Sequence, residues 1–418
     1  MTDRPAPVRI DPGDPTFPPE IAELRASVAP LAEQLEFTAD GVMSAAAAET
    51  GLDDFGEDVD GFTERLDVVM TALDTEAGLG DFGRISCHAQ ISQHVRNRLL
   101  VTDVWRRHPE IEEVEIAAPI IIGGLPRTGT THLHNLLAAD PALRSLPYWE
   151  SLEPVPPLDE QGSWPWPTQP RSDRCAAGLE VVNTALPYFK RMHEMTTDHV
   201  HEEIQLLALD MSTMLLETMA PMPSWRDYYL AHDQTPHYRY VRKVLQTLQW
   251  ARGGSRWVLK SPQHIEQFPA MLAAFGDATF VVTHRDPVAV TQSMSTMITY
   301  ACWMALDPIE PERIAGYWSD RIETMLRTCV EQRSVLPDDR TIDVRFDEFM
   351  ADDVAMIERI YAVADQPFDD GVRAAFDAYM AEHPRGRHGA VLHDPEPLGL
   401  DLAEREEALA FYRDRFGV

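Results

Sequence analysis

Apolar residues recur at helical spacing through the first quarter of the chain. From residue 21 to about residue 108 this spacing predicts several helices with no strand between them. Residues 1 to about 20 are rich in proline and predict an extended lead-in. We therefore expect an N-terminal helical extension over residues 1–115 and a main domain over residues 116–418. The first helix is predicted from apolar residues at Leu24, Val28, Leu31 and Leu35.

Short apolar runs, each followed by a turn signal, predict the strands of the main domain. Three of them, Ile120–Ile122, Arg256–Lys260 and Ala278–Thr283, precede a glycine- or proline-marked turn and a helical segment. A further strand is expected near Thr341–Phe346. Strand, helix and strand in succession predict a parallel sheet with right-handed crossovers. The expected fold is therefore α/β, with a P-loop-like parallel sheet flanked by helices.

Residues of about 171–250 predict a helical cap on this sheet. The segment is rich in methionine, an adaptable side chain found both in cores and at permissive binding surfaces. Two interpretations stay open: a helical core, or a cap that shapes an apolar pocket. The methionines concerned are Met192, Met195, Met211, Met214, Met219 and Met222.

Composition and charge narrow the function classes. The 418 residues are 44% hydrophobic and 25% charged, as in globular proteins with a large core, and the formal net charge is −32. So acidic a chain repels nucleic acid and anionic membranes, and we expect no nucleic-acid partner. An anionic ligand would need locally clustered cations.

The expected compartment is cytoplasmic. The four cysteines lie far apart without a C-x-x-C pair, which is typical of a reduced protein. The N-terminus lacks the apolar core of a signal peptide, and no run of about 18 apolar residues predicts a membrane span. We therefore expect no integral membrane association, and a homo-oligomer is compatible with the sequence.

The loop after the first strand has the layout of an anion site. Gly124 and Gly129 have Walker A spacing, but Thr130 stands where that motif requires lysine. The only cation of the loop is Arg127. A strand, a glycine-rich turn and a helix N-terminus hold phosphate groups. Without the lysine, a P-loop kinase or ATPase that binds ATP with magnesium is the weaker interpretation.

Three cations follow three predicted strands. Arg127, Lys260 and Arg285 each lie where a strand gives way to a helix, and the carboxyl ends of parallel strands meet at one edge. Ser293 follows Arg285 by eight residues, about two helical turns, and so returns to roughly the same face. An arginine and a serine so placed can hold a second anion.

These motifs resemble those of the sulfotransferases that use 3′-phosphoadenosine 5′-phosphosulfate (PAPS). Pro126–Thr131 is similar to their 5′-phosphosulfate loop, P-[KR]-[ST]-G-T-T, and the wider string resembles the bacterial branch. Arg285 and Ser293 have the spacing of the family's 3′-phosphate motif. His383–Gly389 resembles the C-terminal R-x-G or R-G-x-x-G loop that covers that phosphate. The resemblance spans residues of about 120–390.

The resemblance implies PAPS as co-substrate, with no metal required. Lys260 would neutralise the bridging oxygen as it leaves, and Arg127 would hold the sulfate or the 5′-phosphate. The residues expected to bind PAPS are Arg127, Thr128, Gly129, Thr130, Thr131, Arg285, Ser293, Arg385 and Gly386.

The general base is less clearly marked. Cytosolic members of the family carry K-x-H after the second strand, but here Pro262 stands in the histidine position, and His264 follows two residues later. Other branches use glutamate, and Glu202 and Glu203 open a predicted helix. We rank Glu203 first, then Glu202 and His264, although acids are favoured in a first helical turn for dipole reasons alone.

The segment His199–Glu203 also invites a metal interpretation. Positions i and i+2 do not share a helix face and no third remote ligand is evident, so a solvated helix start is the better expectation. The leading function is transfer of a sulfuryl group from PAPS to a hydroxyl or amine of a small, apolar or aromatic acceptor. The alternatives are the P-loop kinase or ATPase and a non-catalytic nucleotide-binding protein.

Overall fold

The N-terminal part of the chain is helical, as predicted. The computed structural model describes residues 5–418, so the first four residues of the predicted lead-in lie outside the described residues. Apart from the two-residue strand β1 (Val8–Arg9), the described elements before residue 115 are helices and a 3-10 turn. The helices are α1 (Pro19–Ala32), α2 (Ala39–Thr50), α3 (Val59–Thr75) and α4 (Asp81–Arg107).

A five-stranded parallel sheet forms the centre of the molecule. Its strand order is β3-β6-β2-β7-β8, so β2 lies between β6 and β7. The predicted α/β fold, a parallel sheet flanked by helices, is therefore confirmed. The strands are β2 (Ile120–Gly123), β3 (Leu143–Arg144), β6 (Arg256–Ser261), β7 (Thr279–His284) and β8 (Thr341–Arg345).

Helices cover both faces of this sheet and link its strands. The segment that the sequence predicts as a helical cap contains α7 to α10, with a short strand between α7 and α8. The helices are α5 (Thr130–Ala138), α6 (Tyr148–Leu152), α7 (Gln169–Ala185), α8 (Ile204–Leu207), α9 (Pro223–Ala231), α10 (Thr235–Arg252), α11 (Phe268–Ala274), α12 (Pro287–Cys302), α13 (Pro311–Gln332), α14 (Phe346–Ala351), α15 (Asp353–Ala364), α16 (Asp370–Glu382), α17 (Leu402–Ala408) and α18 (Ala410–Phe416).

Two short pairings lie outside the main sheet. Strand β4 (Leu146–Pro147) pairs antiparallel with β5 (Val200–His201). Strand β1 pairs in parallel with β9 (Val391–Leu392), which joins the N-terminal segment to the region that follows α16. Among residues 5–418, no helix is long and apolar enough to cross a membrane.

Successive residues of strand β2 pack into two hydrophobic clusters, one on each face of the sheet. Ile121 packs with the N-terminal helices, whereas its neighbours Ile120 and Ile122 pack on the other face with α5, α15 and α16. This alternation follows from the two-residue period of a strand. The cluster on the first face also contains Leu66 and Leu99 of the N-terminal helices, so these helices share a core with the sheet. The domain boundary near residue 116 stays a prediction.

A buried carboxylate ties the N-terminal helices to the cap. Asp210 is 5% exposed and accepts hydrogen bonds from Arg65 (2.8 Å), Arg98 (2.6 Å) and His237 (2.5 Å). Burial alone would raise the pKa of Asp210. The hydrogen bond from His237 and the charges of the two arginines outweigh burial and lower it to about 2. The ionised form is thus the one that the fold stabilises.

We predict that Asp210→Asn lowers the free energy of unfolding at neutral pH by about 3–5 kcal/mol, because two buried arginines lose their counter-charge. The native pKa is about 2, and the unfolded value is about 3.9. The contribution is therefore complete above about pH 4 and lost as the pH falls toward about 2. Urea unfolding between these pH values should give a shallower acid dependence for the variant than for the wild type.

Asp58→Asn is the matched control, since Asp58 contacts the same Arg65 but its side chain is 63% exposed. It should cost about 1 kcal/mol or less. Equal losses in the two variants would contradict the role given to the buried carboxylate.

Candidate active site

The loop between β2 and α5 is fixed by its backbone and by β7. Arg127 and Gly129 have positive φ angles of 71° and 87°, so the chain turns sharply before the helix begins. Thr128 Oγ1 donates to the Leu125 carbonyl (2.6 Å) and lies 2.8 Å from Thr283 Oγ1 of β7. The first N–H groups of an α-helix have no partner within the helix, so those of α5 are available to a ligand at its N-terminus. This is the predicted anion-binding layout.

Arg127 contacts both Arg285 and Ser293. The Arg127 Nε donates to Ser293 Oγ (3.0 Å), and its Nη1 donates to the Met192 carbonyl. Arg285 donates to the Arg127 carbonyl (2.5 Å), and its guanidinium lies 4.2 Å from the centre of the Phe346 ring. Burial and the charge of Arg285 lower the pKa of Arg127. Two adjacent arginine side chains form an electrostatic site for an anion.

A cavity of about 540 Å³, called here the basic cavity, opens beside these arginines. Its wall includes two acidic side chains, Glu194 and Asp198, against six Lys and Arg side chains. In a chain of net charge −32 this is a strong local excess of positive charge. The basic residues are Arg127, Lys190, Arg191, Arg285, Arg385 and Arg387.

The loop between α16 and β9 forms one side of the basic cavity. Arg385 and Gly386, both predicted to bind the nucleotide, line this cavity. Arg385 pairs with Asp353 and donates to the Met350 carbonyl (3.2 Å). Arg387 makes two 2.7 Å hydrogen bonds to Glu194, which lies on the segment before β5. The loop is thereby held against two other parts of the site.

A second cavity, of about 300 Å³, is called here the apolar cavity. Three of the methionines singled out in the sequence line it, whereas Met211, Met219 and Met222 are buried in the core. Both interpretations of the methionine-rich segment are thus correct for different residues. Helix α12 supplies two more methionines. The five that line the cavity are Met192, Met195, Met214, Met294 and Met297.

The two cavities share a wall. Arg127, Thr130, Thr131, Met192 and His193 line both the basic and the apolar cavity. The two cavities are therefore adjacent. Group transfer between two bound molecules requires that their binding sites lie next to each other.

The charged residues after β5 take two different orientations. Glu202 lines the apolar cavity and pairs with the Lys260 ammonium, which lines the same cavity and is 3% exposed. Glu203 is 2% exposed, accepts from the Lys260 backbone N–H (2.8 Å) and is hydrogen-bonded to the His264 ring. His264 also contacts the Tyr238 hydroxyl (2.8 Å). Neither Glu203 nor His264 belongs to the lining of either cavity.

The expectation of a solvated helix start at His199–Glu203 is wrong. Pairing of β5 with β4 draws this segment inward, and His201 is 8% exposed. The rings of His193, His199 and His201 follow one another at centroid distances of 5.3 and 5.9 Å. Burial lowers the pKa of His199 to about 4 and those of His193 and His201 well below the usual value. Among the described residues no group of three or more His, Cys, Asp or Glu side chains is arranged to hold a metal ion.

Comparison with known proteins agrees with this geometry. The profile of the sulfotransferase family matches residues 119–370, which include the loop, the cap and the strands of the sheet from β2 to β8. The chain belongs to the sulfotransferase family. Its assignment to the bacterial branch is supported by two solved structures.

Sulfotransferase STF1 from Mycobacterium tuberculosis H37Rv is 28% identical, with a TM-score of 0.77, over 90% of this chain and 98% of that chain. Sulfotransferase STF9 from Mycobacterium avium is 25% identical, with a TM-score of 0.80, over 92% of this chain and 97% of that one. Among curated protein sequences, none matches. The similarity to these sulfotransferases extends beyond the sheet to the N-terminal helices.

Some residues at or next to the site are not among those predicted from the sequence. His193 lies in the shared wall, and His393 lies 3.1 Å from Ser293 Oγ. Both are single histidines outside the recognised motifs, and no pattern in the sequence marks them. Met294 and Met297 could have been found, because they follow Ser293 by one and four residues on the same helix.

We predict that Gly124→Ala destabilises the protein by about 1–3 kcal/mol through overpacking. A Cβ atom there would lie 1.9 Å from Thr283 Oγ1, the hydroxyl that anchors Thr128. The matched control is Gly178→Ala on α7, where a Cβ atom meets nothing within 4 Å. The control should gain about 0.5–1 kcal/mol from helix propensity. Urea unfolding measures both, and equal stability would mean that Thr283 moves aside at no cost.

Proposed function

We propose that this sulfotransferase moves the sulfuryl group of PAPS to the hydroxyl of an uncharged, largely apolar small molecule. The observation that carries the proposal is the shared wall, which separates a cavity rich in cations from one rich in methionine. A nucleotide in the basic cavity would present its sulfate at this wall. The acceptor hydroxyl would approach the sulfur from the apolar side.

The basic cavity suits the anionic groups of PAPS. The N–H groups of the first turn of α5, with Thr130 and Thr131, would hold the 5′-phosphosulfate. Arg285 and Ser293 would hold the 3′-phosphate, and the loop that carries Arg385 would cover it. These cations can neutralise the charge that develops on the leaving nucleotide, which is the main task of the protein in such transfers.

The transfer would form one bond and break one bond at sulfur. The acceptor oxygen attacks the sulfur, and the bond from sulfur to the bridging oxygen breaks, leaving adenosine 3′,5′-bisphosphate. Arg127 lies in the shared wall and Lys260 on its acceptor side, so both can stabilise charge on the sulfuryl oxygens. The acceptor proton passes to a nearby base.

The geometry favours Glu202 as this base over Glu203 and His264. Glu202 lines the cavity in which the acceptor would lie. Burial alone would raise the pKa of Glu203, but His264 and the Lys260 N–H outweigh burial and lower it. The hydrogen bonds of Glu203 are directed to β6 and to His264, so we propose that this pair positions Lys260 and the start of α8.

Apart from Arg127 in the shared wall, the charged side chains that line the apolar cavity are paired. Lys260 and Glu202 neutralise each other, and burial keeps the rings of His193 and His201 uncharged at neutral pH. A cationic amine would enter without a counter-ion and beside the positive charge of Arg127, at a high desolvation cost. A phenol or an apolar alcohol meets the methionines at no such cost. We therefore propose a hydroxyl rather than an amine as the acceptor.

The kinase alternative has no support from the site. Thr130 occupies the position of the Walker lysine, and the family match is to sulfotransferases. A protein that only binds a nucleotide would not require a second cavity lined by the same Arg127. We therefore propose sulfuryl transfer alone.

The test is a transfer assay with radiolabelled PAPS and a panel of phenols, apolar alcohols, amines and sugars. We expect label on phenols or apolar alcohols, and inhibition by adenosine 3′,5′-bisphosphate but not by ATP with magnesium. Binding of ATP with magnesium, without binding of the bisphosphate, would contradict the proposal. Transfer to amines alone would contradict the proposed acceptor class.

We predict that Glu202→Gln and Glu203→Gln separate catalysis from structure. Loss of a positioned base costs about 10²–10⁴ in kcat, so Glu202→Gln should show a loss of this size. Glu203→Gln should mainly lower the free energy of unfolding, because its carboxylate is buried between two donors. Steady-state kinetics and urea unfolding measure both effects. Full activity in Glu202→Gln, with a large loss of kcat in a stable Glu203→Gln, would reverse the assignment.

A further inference from the structure

His393 lies directly behind the arginines of the basic cavity. It follows β9, and its Nε2 lies 3.1 Å from Ser293 Oγ on α12. Its carbonyl accepts a hydrogen bond from Gln292 Nε2 (3.4 Å), so two consecutive residues of α12 hold it. The pairing of β9 with β1 and the ion pair between Asp394 and Arg9 fix the segment from the other side.

His393 contacts the site through Ser293. Its Oγ accepts a hydrogen bond from Arg127 Nε at 3.0 Å. The His393 Nδ1 is buried and has no partner among the described residues. A bare lone pair there costs less than an unpaired N–H, which places the proton of the neutral ring on Nε2, where it donates to Ser293. Ser293 then accepts twice, and its own proton is free to point toward an anion.

The charges around the ring keep it neutral while the site holds no anion. Burial and the charges of Arg127 and Arg285 lower the pKa of His393 to about 4. Arg127 faces the ring from the loop before α5 and Arg285 from the end of β7, while α12 contributes the uncharged Ser293 and Gln292. Asp394, on the segment of His393 itself, is paired with Arg9. A phosphate dianion beside the two arginines would reverse the local potential and favour the imidazolium.

We propose that His393 is a positioning residue that couples recognition of the donor's 3′-phosphate to the uptake of one proton. The inference rests on the proposed donor. When the phosphate binds, Ser293 donates its proton to a phosphate oxygen, and His393 takes one proton from solvent at Nδ1 while Nε2 keeps donating to Ser293. The positive charge of the imidazolium then offsets one of the two negative charges of the phosphate dianion. Recognition of the 3′-phosphate therefore strengthens as the pH falls through the pKa of the bound ring.

The test compares adenosine 3′,5′-bisphosphate with adenosine 5′-monophosphate by isothermal titration calorimetry on the full chain. Measurements in two buffers of different ionisation enthalpy, at about pH 6 and about pH 8, give the number of protons taken up. The second ionisation of the 3′-phosphate also lies near pH 6. It contributes equally to the wild type and to the variants, so the difference between them isolates His393.

We expect His393→Gln to weaken binding of the bisphosphate about tenfold or more, the usual effect of a charge-assisted hydrogen bond. Binding of the monophosphate should stay within about threefold of the wild type, since it lacks the group that His393 recognises. The extra proton uptake seen with the bisphosphate should disappear. His393→Asn should lose the proton uptake as well. The control is His232→Gln, since His232 is an exposed histidine directly after α9, and this variant should change neither affinity nor proton uptake.

Three results would overturn the inference. One is unchanged bisphosphate affinity and proton uptake in both His393 variants. Another is an equal loss for the two nucleotides, which would show that His393 only supports the fold. The third is an unchanged proton count despite weaker binding. A wild type that binds neither nucleotide, or does not prefer the bisphosphate, would instead contradict the proposed donor.

Discussion

Parallel pairing of β2 with β6 and β7 is the constraint on which the site depends. Gly123 lies opposite Ser261 on one side and Val282 on the other, so β2 and β6 end at the same level and β7 ends two residues further on, at His284. Each end continues into a loop or helix that carries part of the site. The loop with Arg127, the strand end with Lys260 and the turn with Arg285 meet for this reason, although they are far apart in the chain.

The net negative charge of the chain restricts where an anionic ligand can bind. Most of the surface repels anions, so an anionic ligand is stabilised only where the strand ends and the loop after α16 place their cations together. Three of the acids near the site are paired with cations: Glu194 binds Arg387, Asp353 binds Arg385 and Glu202 binds Lys260. They hold the cations in place rather than cancel the field of Arg127 and Arg285.

The sequence allowed the sheet and the helix starts to be predicted, because each rests on local chemistry, whereas the anion-binding role of the residues beside them stays a prediction. Asp286, for example, caps α12 through its side chain, as its position before a proline indicates. The orientation of Glu202 and Glu203 could not be predicted, because these two residues are adjacent in the chain. The side chain of Glu202 lines the apolar cavity, whereas that of Glu203 is buried against β6. The burial of His201 depends on the pairing of β5 with β4. Each of these strands has two residues, which is too short for a periodic hydrophobic pattern in the sequence. His393 depends on a contact across 100 residues of chain.

The methionines of the apolar cavity have a consequence for how its substrates can change. Each has an unbranched side chain with three rotatable bonds, so the cavity's outline is set by rotamers more than by the backbone. Helix α12 carries two of them and also carries Ser293, which contacts Arg127, so one helix connects the apolar cavity to the arginines. Rearrangement of the methionine side chains alone can therefore change the outline of the apolar cavity while Arg127 and Ser293 keep their positions.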